Sequence, residues 1–238
     1  YTFKSVAEPF IKPELFSIPE PRIYPEPETS GKVYFADYEM VQLEMSKVAK
    51  GNLVNIENFG KINVFNEYFG SGLSSIIFQE LRESKSLAYS AYVSYSANAE
   101  ISKPDYISTY IGTQPDKLPI AISAMDDLMI DLPQVEFQFI NSKNSALKKI
   151  EAGRITRTNI FFNALRLQKL GVDYDLREKV YHETENLSLK DLTDFYNSNI
   201  KPLKFNTAII GKKENLNMEA VKNLGEFEEL SLEEIFGY

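Results

Sequence analysis

Along the chain the hydrophobic positions change period several times, and each change predicts an element. Val41, Leu43 and Met45 alternate with Gln42, Glu44 and Ser46, the period-2 pattern of a strand that buries one face. A short helical stretch over 62–69 breaks at Gly70-Ser71-Gly72. Beyond the break Leu73, Ile77 and Leu81 recur four apart, on one stripe of a second helix. Two segments, 87–97 and 105–113, are rich in Tyr, Val, Ile, Ser and Thr and read as strands. The link from Asn98 to Pro104 predicts an antiparallel hairpin between them, with Tyr92, Tyr95, Tyr106 and Tyr110 as cross-strand packing.

The middle of the chain is helical in period. Leu118, Ile122, Met125 and Met129 form one core-facing stripe. Pro133 suits the first turn of the next helix, which runs towards Gly153 with Val135, Phe139, Ala146 and Ile150 inside. Thr156 or Thr158 caps a further helix with Ile160, Ala164 and Leu167 on its inner face and Gly171 beyond its end. Ser188-Leu189-Lys190-Asp191 reads as a capping box opening a helix that carries Leu192 and Phe195. A strand over 205–210, Gly211 and a short helix over 218–224 follow. Early strands, central helices and a returning strand predict an α+β fold: a two-layer structure in which helices pack on one face of a mostly antiparallel β-sheet.

The first thirty residues have no such period. Pro9, Pro13, Pro19, Pro21, Pro25 and Pro27 enforce extended backbone there and forbid a long helix. Phe3, Phe10, Leu15, Phe16, Ile18 and Tyr24 supply apolar anchors that a fully solvated tail lacks. The expected organisation is a proline-rich connector over 1–30 and a single α+β domain over 31–238.

Composition narrows the function classes. With 43% hydrophobic and 25% charged residues among 238, the chain reads as a soluble globular protein. A net charge of −8 argues against a nucleic-acid or anionic-membrane surface, both of which want clustered Lys and Arg. The absence of Cys removes disulfides, thiolate nucleophiles and Cys-based metal sites. No apolar run is long enough to cross a bilayer, so no membrane insertion is expected. The chain starts at Tyr1 without a visible signal peptide and is read as a fragment or processed chain of a soluble, bacterial-type protein, cytoplasmic or periplasmic.

Catalytic chemistry is hard to assemble from these residues alone. His182, the single histidine, stands beside Glu183 and Glu185, but a catalytic zinc site needs three good ligands and an open position. No metal site is therefore assigned to this chain, and no cofactor. A serine triad would need His182 as its base, and no Gly-x-Ser-x-Gly elbow surrounds any serine. Gly70-Ser71-Gly72 lacks the lysine of a phosphate loop. Asp126-Asp127 and Glu233-Glu234 are adjacent, so their carboxylates diverge. Arg82 near a helix end and Tyr89 in a strand both have ordinary structural explanations.

The run from Phe69 to Tyr92 alters the weight of those two residues. Phe69-Gly70-Ser71-Gly72-Leu73-Ser74-Ser75, followed by Leu81-Arg82 and Leu87-Ala88-Tyr89, resembles the helix-to-strand segment of the insulinase-type (pitrilysin, M16) zinc metallopeptidases. The junction Tyr110-Ile111-Gly112-Thr113-Gln114-Pro115-Asp116-Lys117, the stretches 170–175 and 187–192 and the ending 225–238 are similar to later parts of the same family. Ser86 departs from the pattern, standing where many relatives carry Gly. The zinc motif His-x-x-Glu-His is absent from this chain.

The resemblance implies the C-terminal, zinc-free half of a two-lobed enzyme, with residues 1–30 derived from the connector between halves. It implies that Arg82 and Tyr89 complete an active site whose zinc sits in a homologous partner half, fused upstream or separately encoded. Tyr89 would stabilise the oxyanion and Arg82 would hold a carbonyl of the peptide substrate. The isolated chain is then inactive. The competing readings are a non-catalytic structural subunit of the same fold, or a generic α+β interaction domain.

Overall fold

The computed structural model describes residue 20 and residues 24–237. These form a six-stranded sheet whose strands are β1 (Lys32–Asp37), β2 (Leu43–Leu53), β3 (Ser90–Ser96), β4 (Pro104–Thr113), β5 (Asn206–Gly211) and β6 (Glu226–Glu229), in the spatial order β3-β4-β2-β5-β1-β6. The contacts β3–β4, β4–β2 and β2–β5 are antiparallel, whereas β1 runs parallel to both β5 and β6. The sheet is therefore mixed, with the expected antiparallel hairpin at one edge and a parallel edge that the sequence pattern did not reveal. Tyr92 stands opposite Tyr110 in that hairpin, and their rings stack at 5.2 Å, as expected of a cross-strand pair.

Alternation decides which face is buried. Val33, Phe35, Leu43, Met45, Ile107 and Ile111 point to one side and are essentially inaccessible. Helices cover that side: α1 (Phe59–Phe65), α2 (Leu118–Leu128), α3 (Glu136–Ala152), α5 (Leu176–Asn186) and α6 (Leu189–Asn199). Phe65, Phe69 and Tyr196 meet in an aromatic cluster with ring separations of 5.4–6.1 Å. Lys47 is a charged residue on the buried face, and it is answered by Asp126 of α2. The opposite face is open. Tyr34, Ala208 and Ile210 line a trough there of about 400 Å³, partly roofed by Ile235 of the C-terminal helix Leu232–Phe236.

α1 passes directly into a wider π-helical turn, Asn66–Gly70, and this turn docks on the edge strand β3. Asn66 accepts the backbone N–H of Tyr95 at 2.8 Å and donates to the carbonyl of Tyr95 at 3.0 Å. One side chain thereby satisfies backbone groups that a sheet edge would otherwise leave open. Gly70 lies so close that a Cβ there would stand 2.1 Å from the carbonyl oxygen of Val93. Glycine is required at that position by space, not by its dihedral angles.

Several periodic expectations shift by a residue or two at element ends. Val41 lies outside β2 and is 90% exposed, and Leu73 precedes the second helix and is 74% exposed, while Ile77 and Leu81 are buried as expected. Pro133 and Val135 lie ahead of α3, which starts at Glu136, and Val135 is exposed. The larger correction concerns α4 (Ile160–Lys169), where Ile160 and Ala164 are exposed and Leu167 alone of the expected stripe is half-buried. Neither Thr156 nor Thr158 caps it; their hydroxyls pair with each other at 3.1 Å. The Ser188–Asp191 capping box opens α6 as expected.

Of the proposed connector, Phe3, Phe10, Leu15, Phe16 and Ile18 lie outside the described residues. Its last residues are tied to the domain. The Lys50 ammonium donates to the Glu26 carbonyl at 2.9 Å and pairs with Glu28 at 2.6 Å. The Asn206 side-chain oxygen accepts the backbone N–H groups of Ser30, Gly31 and Lys32 at 2.9–3.1 Å, which fixes the chain as it enters β1.

Two stability outcomes follow from these contacts. Gly70→Ala should cost about 1–3 kcal/mol in urea unfolding, because backbone rather than a flexible side chain opposes the new methyl; an unchanged midpoint would contradict the tight docking of the π-turn. At the far end of β3, the buried Asp105 carboxylate accepts from the Tyr95 hydroxyl at 3.1 Å and the Asn98 N–H at 2.9 Å, yet burial holds its pKa above the ordinary value. The folded state therefore binds this proton more readily than the unfolded chain, and its ionisation weakens the fold as pH rises through the raised pKa. Asp105→Asn should raise stability at pH 7, with the gain shrinking as pH falls to 4, measured by thermal melts across that range.

Candidate functional site

Arg82 sits on a second π-helical stretch, Phe78–Ser84, entered through the buried Ile76 and Ile77. Leu81 is fully buried beside it and anchors the helix, which turns Arg82 outwards. The guanidinium lies over the Phe78 ring at 4.9 Å and 3.7 Å from the Glu83 carboxylate, with its side chain about half exposed at 48%. No buried partner consumes its charge, and its fork of donors is available to a carbonyl or carboxylate.

Tyr89 stands just ahead of β3. Its backbone N–H donates to the Gly112 carbonyl at 2.9 Å, which ties it to β4 beside the first β3–β4 pair, Ser90 and Gly112. The ring is 51% exposed, and its hydroxyl accepts from the Gln114 side-chain amide at 2.7 Å. Arg82 and Tyr89 open onto one cleft of about 260 Å³, shared with Thr113, Gln114 and Lys117. The two residues separated by seven positions are thus brought to one accessible site, and neither is buried in the core.

The segment between them is shaped by Ser86, which has φ +50° and is the one non-glycine residue with positive φ among the described residues. This is the left-handed region where a side chain is strained and glycine is favoured. The serine keeps that conformation with help: Lys117 donates to the Ser86 carbonyl at 3.0 Å and the Thr113 hydroxyl donates to the Leu87 carbonyl at 2.5 Å. The sequence pattern singles out Ser86, but not Thr113, Gln114 and Lys117, as part of this site. Their presence in the strand-to-helix junction was the available signal.

The other chemistry-bearing residues stay apart. His182 is exposed on α5, with Glu185 at 3.6 Å as its neighbour one turn on. Among the described residues no three His, Asp or Glu side chains converge as a metal-holding group. The donor set is therefore unfit for a catalytic zinc, which needs three ligands. A larger cleft of about 440 Å³ lies among α1, α3 and α5; Lys149 pairs there with Glu67 and Arg177 with Asp175, and Arg166 also lines it. The Arg177 hydrogen bonds hold the Asp175 carboxyl down to about 2.

Comparison with known proteins agrees with this architecture. The model of the family described as the peptidase M16 inactive domain matches residues 4–137. No curated protein matches the sequence. Among solved structures, a peptidase M16 inactive domain from Pseudomonas fluorescens superposes with a TM-score of 0.63 at 13% identity, covering 84% of this chain and 46% of that one. A protease from Helicobacter pylori gives 0.63 at 14% identity, covering 83% and 48%. Pitrilysin gives 0.55 at 9% identity, covering 86% and 22%. At such identities the likeness establishes the fold, and the chain spans about half or less of the structures it matches.

The strain at Ser86 has a measurable consequence. Ser86→Gly relieves the left-handed penalty of about 1–2 kcal/mol but loosens the unfolded chain by about 0.5–1 kcal/mol, so stability should be unchanged or rise by up to about 1.5 kcal/mol. Ser86→Val should cost more than 1 kcal/mol, because a β-branched side chain is least tolerated at positive φ. Chemical denaturation of both variants decides, and equal stability of the two would refute the left-handed assignment.

Proposed function

This chain belongs to the family of M16 peptidase inactive domains, and from that premise we propose that it is the zinc-free half of a two-lobed metalloendopeptidase, lending Arg82 and Tyr89 to a site completed by a zinc-bearing homologous half. The observation that supports this reading is the shared cleft, where a half-exposed guanidinium, paired only with the exposed Glu83, and a phenol half open to solvent face outwards together. A purely structural pair would be expected to close on each other or on the core.

In this reading the metal and the water it activates belong to the partner half, because no set of metal ligands converges among the described residues of this chain. The Tyr89 hydroxyl donates a hydrogen bond to the oxygen of the scissile carbonyl as negative charge develops there, an interaction strongest in the transition state. Arg82 grips a neighbouring backbone carbonyl of the peptide by charge-assisted hydrogen bonds and fixes the register of the bound chain. The open sheet face, with Tyr34, Tyr92, Tyr110 and Ile210 presented, supplies a surface suited to an extended peptide. Residues 1–30 serve as the connector across which the two halves open and close.

The test is to mix the chain with a zinc-bearing His-x-x-Glu-His half and follow cleavage of a quenched fluorescent peptide. Activity should appear in the mixture and not with this chain alone. Tyr89→Phe should lower turnover by about 10²–10³, the cost of losing one oxyanion donor, and Arg82→Ala should mainly raise KM. Cleavage that survives both substitutions would sink the assignment. A folded complex that cleaves no peptide would favour the non-catalytic subunit.

A further inference from the structure

The junction that ends β4 and opens α2 contributes three side chains to the short segment that carries Tyr89. The Lys117 ammonium donates to the Ser86 carbonyl at 3.0 Å, the Thr113 hydroxyl to the Leu87 carbonyl at 2.5 Å, and the Gln114 amide to the Tyr89 hydroxyl at 2.7 Å. The first two hold backbone. The third touches the functional atom itself. Gln114 is exposed and precedes Pro115, which restricts its backbone to extended conformations, so its side chain projects from a stiff base.

We propose that Gln114 is the positioning residue of the Tyr89 phenol, fixing both the ring and the direction in which its O–H points. The proposal rests on the reading of Tyr89 as an oxyanion donor. A phenolic oxygen carries one hydrogen and accepts through its lone pairs. With the Gln114 N–H donating to that oxygen, the phenol has no reason to spend its own hydrogen on Gln114 and presents it to the cleft. The same donation draws electron density from the oxygen and strengthens the outward O–H as a donor, the cooperativity expected of chained hydrogen bonds. Lys117 and Thr113 act one step further back, keeping the strained backbone at Ser86 from swinging the ring away.

Two substitutions separate positioning from mere packing. Gln114→Ala removes the tether. Gln114→Glu keeps the shape but offers only acceptors at neutral pH, so the phenol must turn its hydrogen inwards to bond it. In the isolated chain, NMR side-chain couplings of Tyr89 should report a single χ1 rotamer for wild type and for Gln114→Glu, and averaging for Gln114→Ala. Melting temperatures should stay unchanged, since Gln114 is exposed. With the zinc-bearing half present, Gln114→Glu should lose about as much turnover as Tyr89→Phe despite its ordered ring. Gln114→Ala should lose up to about 10²-fold, with KM little altered in both. A Tyr89 side chain that stays in one rotamer in Gln114→Ala would overturn the proposal, as would a Gln114→Glu mixture of wild-type turnover where Tyr89→Phe is impaired. If Tyr89→Phe itself has no effect, the functional reading fails, and the NMR result on the isolated chain still decides whether Gln114 positions the ring.

Discussion

The docking of the 59–70 helix against β3 is the constraint on which the rest of the structure depends. An edge strand carries backbone donors and acceptors that must find partners. Here Asn66 meets Tyr95 on both, while Gly70 lets the helix backbone approach the Val93 carbonyl. Because the same helix delivers Phe65 and Phe69 to the aromatic cluster with Tyr196, sheet edge and helical layer are fixed as one body. The helix that carries Arg82 and the residue ahead of β3, Tyr89, both spring from this body, so their separation is set by the fold.

The proposed site lies in what that body leaves uncovered. Leu81 goes inwards and Arg82, its neighbour, goes outwards; Ala88 is buried and Tyr89 is not. Around them the chain tolerates a left-handed serine, secured by side chains that come from the end of β4 and the start of α2. Backbone strain held in place by neighbouring contacts is a common property of sites that must present a group at a defined angle.

Much of this was legible in the sequence because period and capping act locally. The β3–β4 hairpin, the α2 stripe of Leu118, Ile122 and Met125 and the Ser188–Asp191 box follow from spacing alone, and the structure bears them out. β1 and β6 were not legible: β1 is six residues long, and β6 is an acidic edge strand in which only Phe227 is half-buried. Their parallel pairing depends on partners almost two hundred residues away. For the same reason the Arg82–Tyr89 motif was readable as a family resemblance, while Gln114, some 25 positions on, was visible only as a member of the strand-to-helix junction, and its contact with the Tyr89 hydroxyl emerges only from geometry.

α4 misled the periodic reading for an instructive reason. Its sequence is amphipathic, yet Ile160, Phe161, Phe162 and Leu165 face solvent, and the helix is held chiefly at its end, where Leu170 enters a small satellite core and Lys169 pairs with Glu100 at 2.7 Å. Free energy of opening is not uniform across a molecule, and a segment with little buried area contributes little to the whole. α4 is thus an outlying plate clipped to the domain at one end, and the sheet with its aromatic keystone is built without it.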